Sequence, residues 1–307
     1  MAFTKLNPAT FAGTGLDFTS RERRPRVICS NDGRDKSGKS DFCYDAPDPI
    51  AVLSFDFGDE DVVQKYTDPD TSGRITVPRQ IVIKDLKWEI PSEYRSQQGT
   101  AEKSKSDQLG KWVDEQVWTP FVKLTKKIIE SGMFRTVVVD KATEAWQVCR
   151  LGVYGRLASN RQDLQTEANA RWREYVRLFA SSELPINLHL IHEQKEEWVS
   201  KGVDGGEGEK KDKWFKSGVW VRDGNDKVPF LIQVGLEHRF IQPKKHPVSG
   251  NIIIEPGFEC EVKVNRSHPE LVGTTFTSVD GNLDWLTVMS TLRPEIPIEE
   301  WGHANLR

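Results

Sequence analysis

Eight consecutive residues have the types and spacing of a loop that binds phosphate. They fit the pattern G-x-x-x-x-G-K-S/T and run Gly33-Arg34-Asp35-Lys36-Ser37-Gly38-Lys39-Ser40. The two glycines permit the dihedral angles and the close approach that a backbone wrapped around a phosphate needs. Backbone N–H groups of such a loop form a nest for an anion, Lys39 offers a point charge to the β- and γ-phosphates, and the Ser40 hydroxyl can ligate Mg²⁺. We therefore predict that this P-loop, together with the following Asp41, binds ATP and Mg²⁺.

The segments around the loop supply the strand and the helix that it requires. Residues 26–30 are a short apolar run that predicts a strand, and two polar residues then turn the chain into Gly33. The helix after the loop must be short, because Pro47 ends it. The alternative interpretation is a glycine-containing surface turn with an incidental Lys-Ser pair.

Carboxylates at the ends of apolar strands are the candidate catalytic groups. Asp140 follows a run of β-branched residues typical of a strand buried on both faces, and open α/β sheets bind their ligands at that edge. We expect Asp140 to hold Mg²⁺ with Ser40. Asp56 ends another apolar run and Glu60 lies close to it, so both are candidates for activating water. The alternatives are a helix-capping residue for Asp140 and a turn carboxylate for Asp56.

Polar residues also follow the apolar run over residues 186–192. We single out His192, Glu193 and Gln194, because a polar side chain at the end of a core strand can sense the γ-phosphate. The alternative is a solvated strand end.

Strands that alternate with helices over most of the chain predict an α/β sheet. Strands are predicted at 26–30, 50–55, 81–83, 136–140 and 186–192, helices over 109–128 and 160–180, and mobile loops over 91–108 and 200–216. Beyond these, short strands at 219–221, 230–234, 252–254 and 260–264 predict an antiparallel extension, and 283–292 a helix. We expect an extension over 1–24, a nucleotide-binding domain over 25–270 and a tail packed on it over 271–307.

Composition narrows the class of protein. The chain has 307 residues, of which 37% are hydrophobic and 29% charged, and a net charge of −3, which are values typical of a soluble globular protein without general affinity for nucleic acid. No apolar run approaches the roughly 18 residues of a membrane span, so we predict no membrane partner. Four dispersed cysteines and six histidines favour a reduced cytoplasm and argue against a zinc site.

Four stretches together resemble a family of phage-type P-loop ATPases that is similar to the RecA core. They are residues 27–40, 53–60, 137–146 and 190–195. The resemblance implies an α/β fold with a RecA-like P-loop NTPase core, a mostly parallel central sheet flanked by helices, and C-terminal antiparallel strands. It also implies that Asp140 is the Walker B acid, that residues 192–194 are the sensor, and that Mg-ATP hydrolysis acts on single-stranded DNA in phage recombination or replication.

The same likeness implies partners. RecA-like ATPases complete their site with a basic residue of a neighbouring subunit, so we expect a homo-oligomer, with Lys263 and Arg266 as candidates for that residue. The two predicted loops carry lysines, and Trp198 and Trp214 lie close by in the sequence. Such loops can hold single-stranded DNA by charge and stacking, and a phage single-strand-binding protein is a further possible partner. Two alternatives stay open: a small-molecule kinase on the P-loop scaffold, and an assembly protein in which ATP only sets the oligomer.

Overall fold

Ten stretches of the chain are described by the computed structural model. They are residues 25–55, 60–68, 79–86, 88–95, 103–155, 162–203, 211–224, 231–245, 252–278 and 283–303. The extension predicted over 1–24 lies outside them, as do Asp56 and the side chain of Glu60, two of the predicted catalytic residues.

Strands of the described ranges form one large sheet and one small one. In chain order the strands are β1 (Ile28–Gly33), β2 (Ile50–Ser54), β3 (Ile81–Asp85), β4 (Thr136–Asp140), β5 (Asn187–Val203), β6 (Lys211–Asp223), β7 (Val234–Ile241), β8 (Lys244–Lys245), β9 (Ile252–Ile254), β10 (Gly257–Asn265) and β11 (Thr275–Ser278). The large sheet has the order β11-β10-β7-β1-β5-β4-β2-β3, and β6 pairs with β5 outside this path. The six strands from β7 to β3 are parallel, whereas β10, β11 and β6 pair antiparallel with their neighbours. The predicted mixed α/β architecture, with a mostly parallel sheet and antiparallel C-terminal strands, is confirmed at this level.

Helices flank the sheet. They are α1 (Lys39–Tyr44), α2 (Glu60–Thr67), α3 (Ser92–Arg95), α4 (Lys103–Val113), α5 (Thr119–Ser131), α6 (Ala142–Tyr154), α7 (Gln162–Ser181) and α8 (Trp285–Leu292), and a π-helical turn (Asp114–Trp118) joins α4 to α5. None of the described helices is long and apolar enough to cross a membrane.

The apolar run of β4 serves two cores at once, because successive residues of a strand point to opposite faces. Val137 and Val139 pack with the aromatic side chains of α5 and α7, such as Phe121 and Trp172. Val138, between them, belongs to the opposite cluster, which contains residues of α1 and α8. Helices thus cover both faces of the sheet close to β1, the strand that leads into the P-loop.

The structure differs from the sequence prediction at four places. The two residues expected to turn the chain, Asn31 and Asp32, instead continue β1 as far as Gly33, because they pair with β5 on one side and β7 on the other. Residues predicted as a loop over 91–108 contain α3 and the start of α4, whose first turns are polar and therefore lack apolar periodicity. The predicted loop over 200–216 includes the ends of β5 and β6, which pair with each other. The strand predicted at 230–234 begins only at Val234, and β7 is parallel to β1. The predicted helix over 283–292 is α8, and its Trp285 is buried in the core.

Candidate functional site

The P-loop is the tight connection between β1 and α1. Gly38 has a φ of 82°, in the left-handed region, and a Cβ there would lie 2.8 Å from Cδ1 of Phe258. A Cβ on Gly33 would lie 2.5 Å from the Ser37 hydroxyl oxygen. A side chain at either position would therefore require these neighbouring atoms to move, which favours glycine at both.

Lys39 is buried at the first position of α1, with its ammonium group held within the loop. Nζ donates hydrogen bonds to the carbonyl oxygens of Gly33 at 2.8 Å and of Arg34 at 2.7 Å. Burial lowers the pKa of Lys39, and the negative charge of Asp140 opposes that shift most strongly. The ammonium group thus lies within the loop whose backbone N–H groups the motif predicts to hold phosphate.

Ser40 and Asp140 are brought together by the fold. The Ser40 hydroxyl donates to Asp140 Oδ2 at 2.9 Å, and the Tyr44 hydroxyl lies 3.4 Å from the same oxygen. Asp140 ends β4 and is buried. Hard oxygen donors of this kind suit Mg²⁺, which takes one or two protein carboxylates together with nucleotide phosphates. The described residues hold no cluster of three or more His, Cys, Asp or Glu side chains suited to a metal, and a Mg-nucleotide site does not need one.

The side chains of the predicted sensor residues lie in different surroundings. His192 is buried with its ring against Gly224, and burial lowers its pKa well below the usual range. Gln194 instead lines a cavity of about 670 Å³ beside the P-loop, and its Nε2 donates to Glu237 Oε1 at 3.0 Å. The structure therefore brings Gln194 to the loop and leaves His192 in the interior.

Glu193, between them, belongs to the predicted sensor stretch over residues 192–194. Its Oε1 lies 2.6 Å from Nζ of Lys141, the residue that follows Asp140. Its charge also acts to raise the pKa of Lys39, against the larger effect of burial. Strand alternation places Glu193 on the face of Ile191, which packs in the same core as α1.

The remaining predicted residues lie around this centre. Arg34, Asp35 and Ser37 line the cavity with Gln194, Lys36 has a φ of 59° in the loop, and Asp41 pairs with Lys65 at 3.2 Å.

Two basic residues are predicted to complete the site of a neighbouring subunit, and they lie in different parts of the structure. Lys263 lines the cavity and pairs with Glu237 at 2.9 Å and Glu261 at 2.6 Å. Arg266 follows Asn265, which pairs with Val234 at the start of β7. The start of a parallel strand is remote from the edge where β1 ends in the P-loop, so Arg266 lies away from the site of its own chain.

A buried ion pair anchors the β5–β6 hairpin (residues 187–203 and 211–223) to the P-loop strand. Nε of Arg222 lies 2.9 Å from both carboxylate oxygens of Asp32, and its Nη2 lies 2.6 Å from Oδ2. Burial raises the pKa of Asp32, and Arg222 opposes the rise. Because 190 residues separate the partners, no local sequence pattern indicates this contact.

Comparisons with known proteins add no name to this site. Neither the scan against protein-family models nor the search of curated proteins gives a match. The sequence motif and the geometry around it are therefore the basis for assigning a function.

Proposed function

We propose that the protein binds Mg-ATP at the P-loop and hydrolyses it. The observation that carries the proposal is the 2.9 Å contact between the Ser40 hydroxyl and Asp140. These are the P-loop hydroxyl and the strand-end carboxylate that hold Mg²⁺ in P-loop NTPases. An incidental glycine-containing turn has no reason to meet a buried carboxylate from a different strand, so the contact favours the nucleotide site.

Residues of the chain have distinct tasks in this proposal. Bound Mg-ATP supplies the phosphoryl group and a metal ion that neutralises its developing charge. Lys39 exchanges its two loop carbonyls for phosphate oxygens, which are stronger acceptors for an ammonium group. Gln194 lies at the cavity beside the loop, where an amide can bond the terminal phosphate or the attacking water. Glu193 is the described carboxylate best placed to polarise that water, because it lies on the face of the sheet that carries α1.

The strand order supports a RecA-like core. β5 lies between β1, which leads into the P-loop, and β4, which ends in Asp140. Parallel strands end at one edge of a sheet, so the polar residues that follow the core of β5 lie between the loop and the acid. That is the position of a sensor in the RecA-like arrangement that the sequence resembles.

Action on single-stranded DNA is part of the proposal and is supported by the hairpin. Trp198 is 55% exposed there, Phe215 and Trp220 are also exposed, and Lys216 lies 5.8 Å above the Trp198 ring. Exposed aromatic rings beside cations are platforms on which bases stack without sequence preference. The pairing of β5 with β6 begins at Glu193, within the sensor stretch, which connects such binding to the nucleotide site.

Calorimetry and turnover assays test the two halves separately. Lys39→Ala should lose Mg-ATP binding, whereas the surface variant Lys126→Ala should bind like the parent protein. A Lys39→Ala protein that binds ATP with the parent's affinity would refute the nucleotide site. Single-stranded DNA should be tested at low salt, where phosphate contacts are strongest. The proposed action on DNA is refuted if the DNA does not bind and does not change the ATPase rate.

One observation favours a second candidate, an assembly protein in which ATP sets the oligomer with little turnover. Glu193 is held by Lys141 at 2.6 Å, so in this conformation its carboxylate is committed to an ion pair rather than to water. Lys141→Met should raise the turnover of an ATPase, and adding Glu193→Gln should remove the gain. Absence of turnover in all three proteins, with an ATP-dependent change in molecular size, would favour the assembly protein.

A further inference from the structure

The second residue of the P-loop is stacked on the hairpin. The guanidinium carbon of Arg34 lies 3.7 Å from the centroid of the Trp220 ring, a close cation–π contact. Trp220 belongs to β6, so this contact joins the phosphate loop to the β5–β6 hairpin. Stacking uses the face of the guanidinium plane and leaves its N–H edge available.

Arg34 differs from the other cations that line the same cavity. Arg239 and Lys263 are each paired with glutamates of β7 and β10 at 3.1 Å or less. Within the described ranges no carboxylate pairs with Arg34, and Trp220 is its side-chain contact. Arg34 therefore presents an uncommitted fork of donors, the geometry that binds phosphate oxygens in pairs.

The backbone of Arg34 belongs to the loop that is predicted to hold phosphate. Its carbonyl oxygen accepts a hydrogen bond from Lys39 Nζ at 2.7 Å, and its side chain lines the cavity together with Ser37 and Gln194. A long, flexible side chain that starts at this point can turn from Trp220 toward the loop without movement of the backbone.

We propose that the Arg34 side chain moves away from the Trp220 ring and binds the terminal phosphate of a nucleoside triphosphate. The chain itself then supplies this phosphate ligand. The inference rests on the proposed nucleotide site and adds the group that distinguishes a triphosphate from a diphosphate. It also gives the hairpin a signal of the nucleotide state, because Trp220 loses its cation when the triphosphate binds. The Asp32–Arg222 ion pair, two residues along β6, keeps the base of the hairpin in place during this exchange.

Binding measurements with ADP and a non-hydrolysable ATP analogue, both with Mg²⁺, test this role. Removal of a charge-assisted hydrogen bond to phosphate weakens binding about tenfold or more. Arg34→Ala should therefore lower the affinity for the analogue by that factor and leave the affinity for ADP within about twofold of the parent's. Arg34→Lys should have an affinity for the analogue between those of Arg34→Ala and the parent. Arg177→Ala, which removes an exposed arginine of α7, is the matched control and should change neither affinity.

A second readout does not depend on the Arg34 variants. The analogue, but not ADP, should change the tryptophan fluorescence of the parent, and most of that change should be absent in Trp220→Phe, which still binds the analogue. Equal weakening of both nucleotides by Arg34→Ala, or no weakening, would overturn the proposal, as would an unaltered fluorescence change in Trp220→Phe. A parent protein that binds neither nucleotide would refute the nucleotide site itself, which is a different result from either of these.

Discussion

The hydroxyl of Ser40 and the carboxylate of Asp140 lie 2.9 Å apart although 100 residues separate them in the chain. Ser40 is in α1 directly after the P-loop, and Asp140 is the last residue of β4. Their meeting depends on the strand order, which places only β5 between the two strands that lead to them. Two oxygen-bearing side chains of the kinds that hard metal ions prefer are thereby held together.

The first prediction concerns the metal dependence of nucleotide binding. Mg²⁺ should raise the affinity for ATP in the parent protein, and this gain should be about tenfold or more smaller in Ser40→Ala and in Asp140→Asn. The reason is that each change removes an oxygen ligand of the metal or its charge. Metal-free ATP should bind Asp140→Asn at least as well as the parent, since a negative charge near the phosphates is gone. Calorimetry with Mg²⁺ and with EDTA measures both, and Ser181→Ala at the end of α7 is the control. Retention of the full Mg²⁺ effect in both variants would contradict the assignment.

The second prediction separates two reasons why Gly38 is a glycine. Gly38→Ala puts a residue with a Cβ into the left-handed region, which costs about 1–2 kcal/mol of stability. It also brings the new Cβ to 2.8 Å from Cδ1 of Phe258. Gly218 has a similar φ of 78° with no atom within 4 Å of the added Cβ, so Gly218→Ala should lose only the first amount. Urea unfolding should show the larger loss for Gly38→Ala, and Phe258→Leu should relieve part of it. Equal losses at the two glycines would mean that the Phe258 ring moves aside freely.

The third prediction concerns the Asp32–Arg222 ion pair. Arg222→Ala leaves a buried carboxylate without its partner and should lower the free energy of unfolding by about 3 kcal/mol. Lys195→Ala breaks an ion pair of the same hairpin at 2.7 Å, but that lysine is exposed, so its loss should stay below about 1 kcal/mol. Adding Asp32→Asn to Arg222→Ala should recover stability, because no unpaired charge then stays buried. A double variant less stable than Arg222→Ala would show that the amide is no better tolerated there.

The sequence predicts that Ser40 and Asp140 lie together, as they do in the structure, because the P-loop motif constrains individual positions and the β-branched run before Asp140 favours a buried strand. It predicts the sensor less well. The sequence indicates the strand end, but strand alternation puts His192 and Gln194 on one face and Glu193 on the other. Gln194 lines the cavity and Glu193 pairs with Lys141, whereas His192 is buried, and these separate surroundings depend on the neighbouring strands.

The β5–β6 hairpin could not be predicted from local pattern. β5 continues to Val203 through charged residues because it pairs with β6, not because it buries a face. Its contacts with the P-loop, Arg34 on Trp220 and Arg222 on Asp32, join residues about 190 positions apart. Side-chain pairing at such separations leaves no periodicity in a single sequence.

The last prediction concerns stability in acid and arises from a buried polar cluster beneath the P-loop. Asn31 of β1 has side-chain atoms 3.1 Å from a ring nitrogen of His189 and 3.1 Å from one of His238. The Trp285 indole donates to the other nitrogen of His189 at 3.0 Å. Burial lowers the pKa of both histidines from 6.5 to about 3, so the folded protein keeps them neutral.

The sign of the effect follows from proton binding. Between pH 6.5 and about 3 the unfolded chain binds protons at these histidines and the folded protein does not, so stability falls as pH falls through that window. Each histidine contributes a slope of about 1.4 kcal/mol per pH unit. His238→Gln keeps a side-chain amide but removes one titrating group, so its stability should fall less steeply between pH 6 and 4 in urea unfolding. His268→Gln is the opposite control, because hydrogen bonds to Glu270 and Glu295 raise the pKa of His268, and its removal should not make the fall shallower. A parent and a His238→Gln variant with parallel profiles would show that His238 becomes protonated within the folded protein.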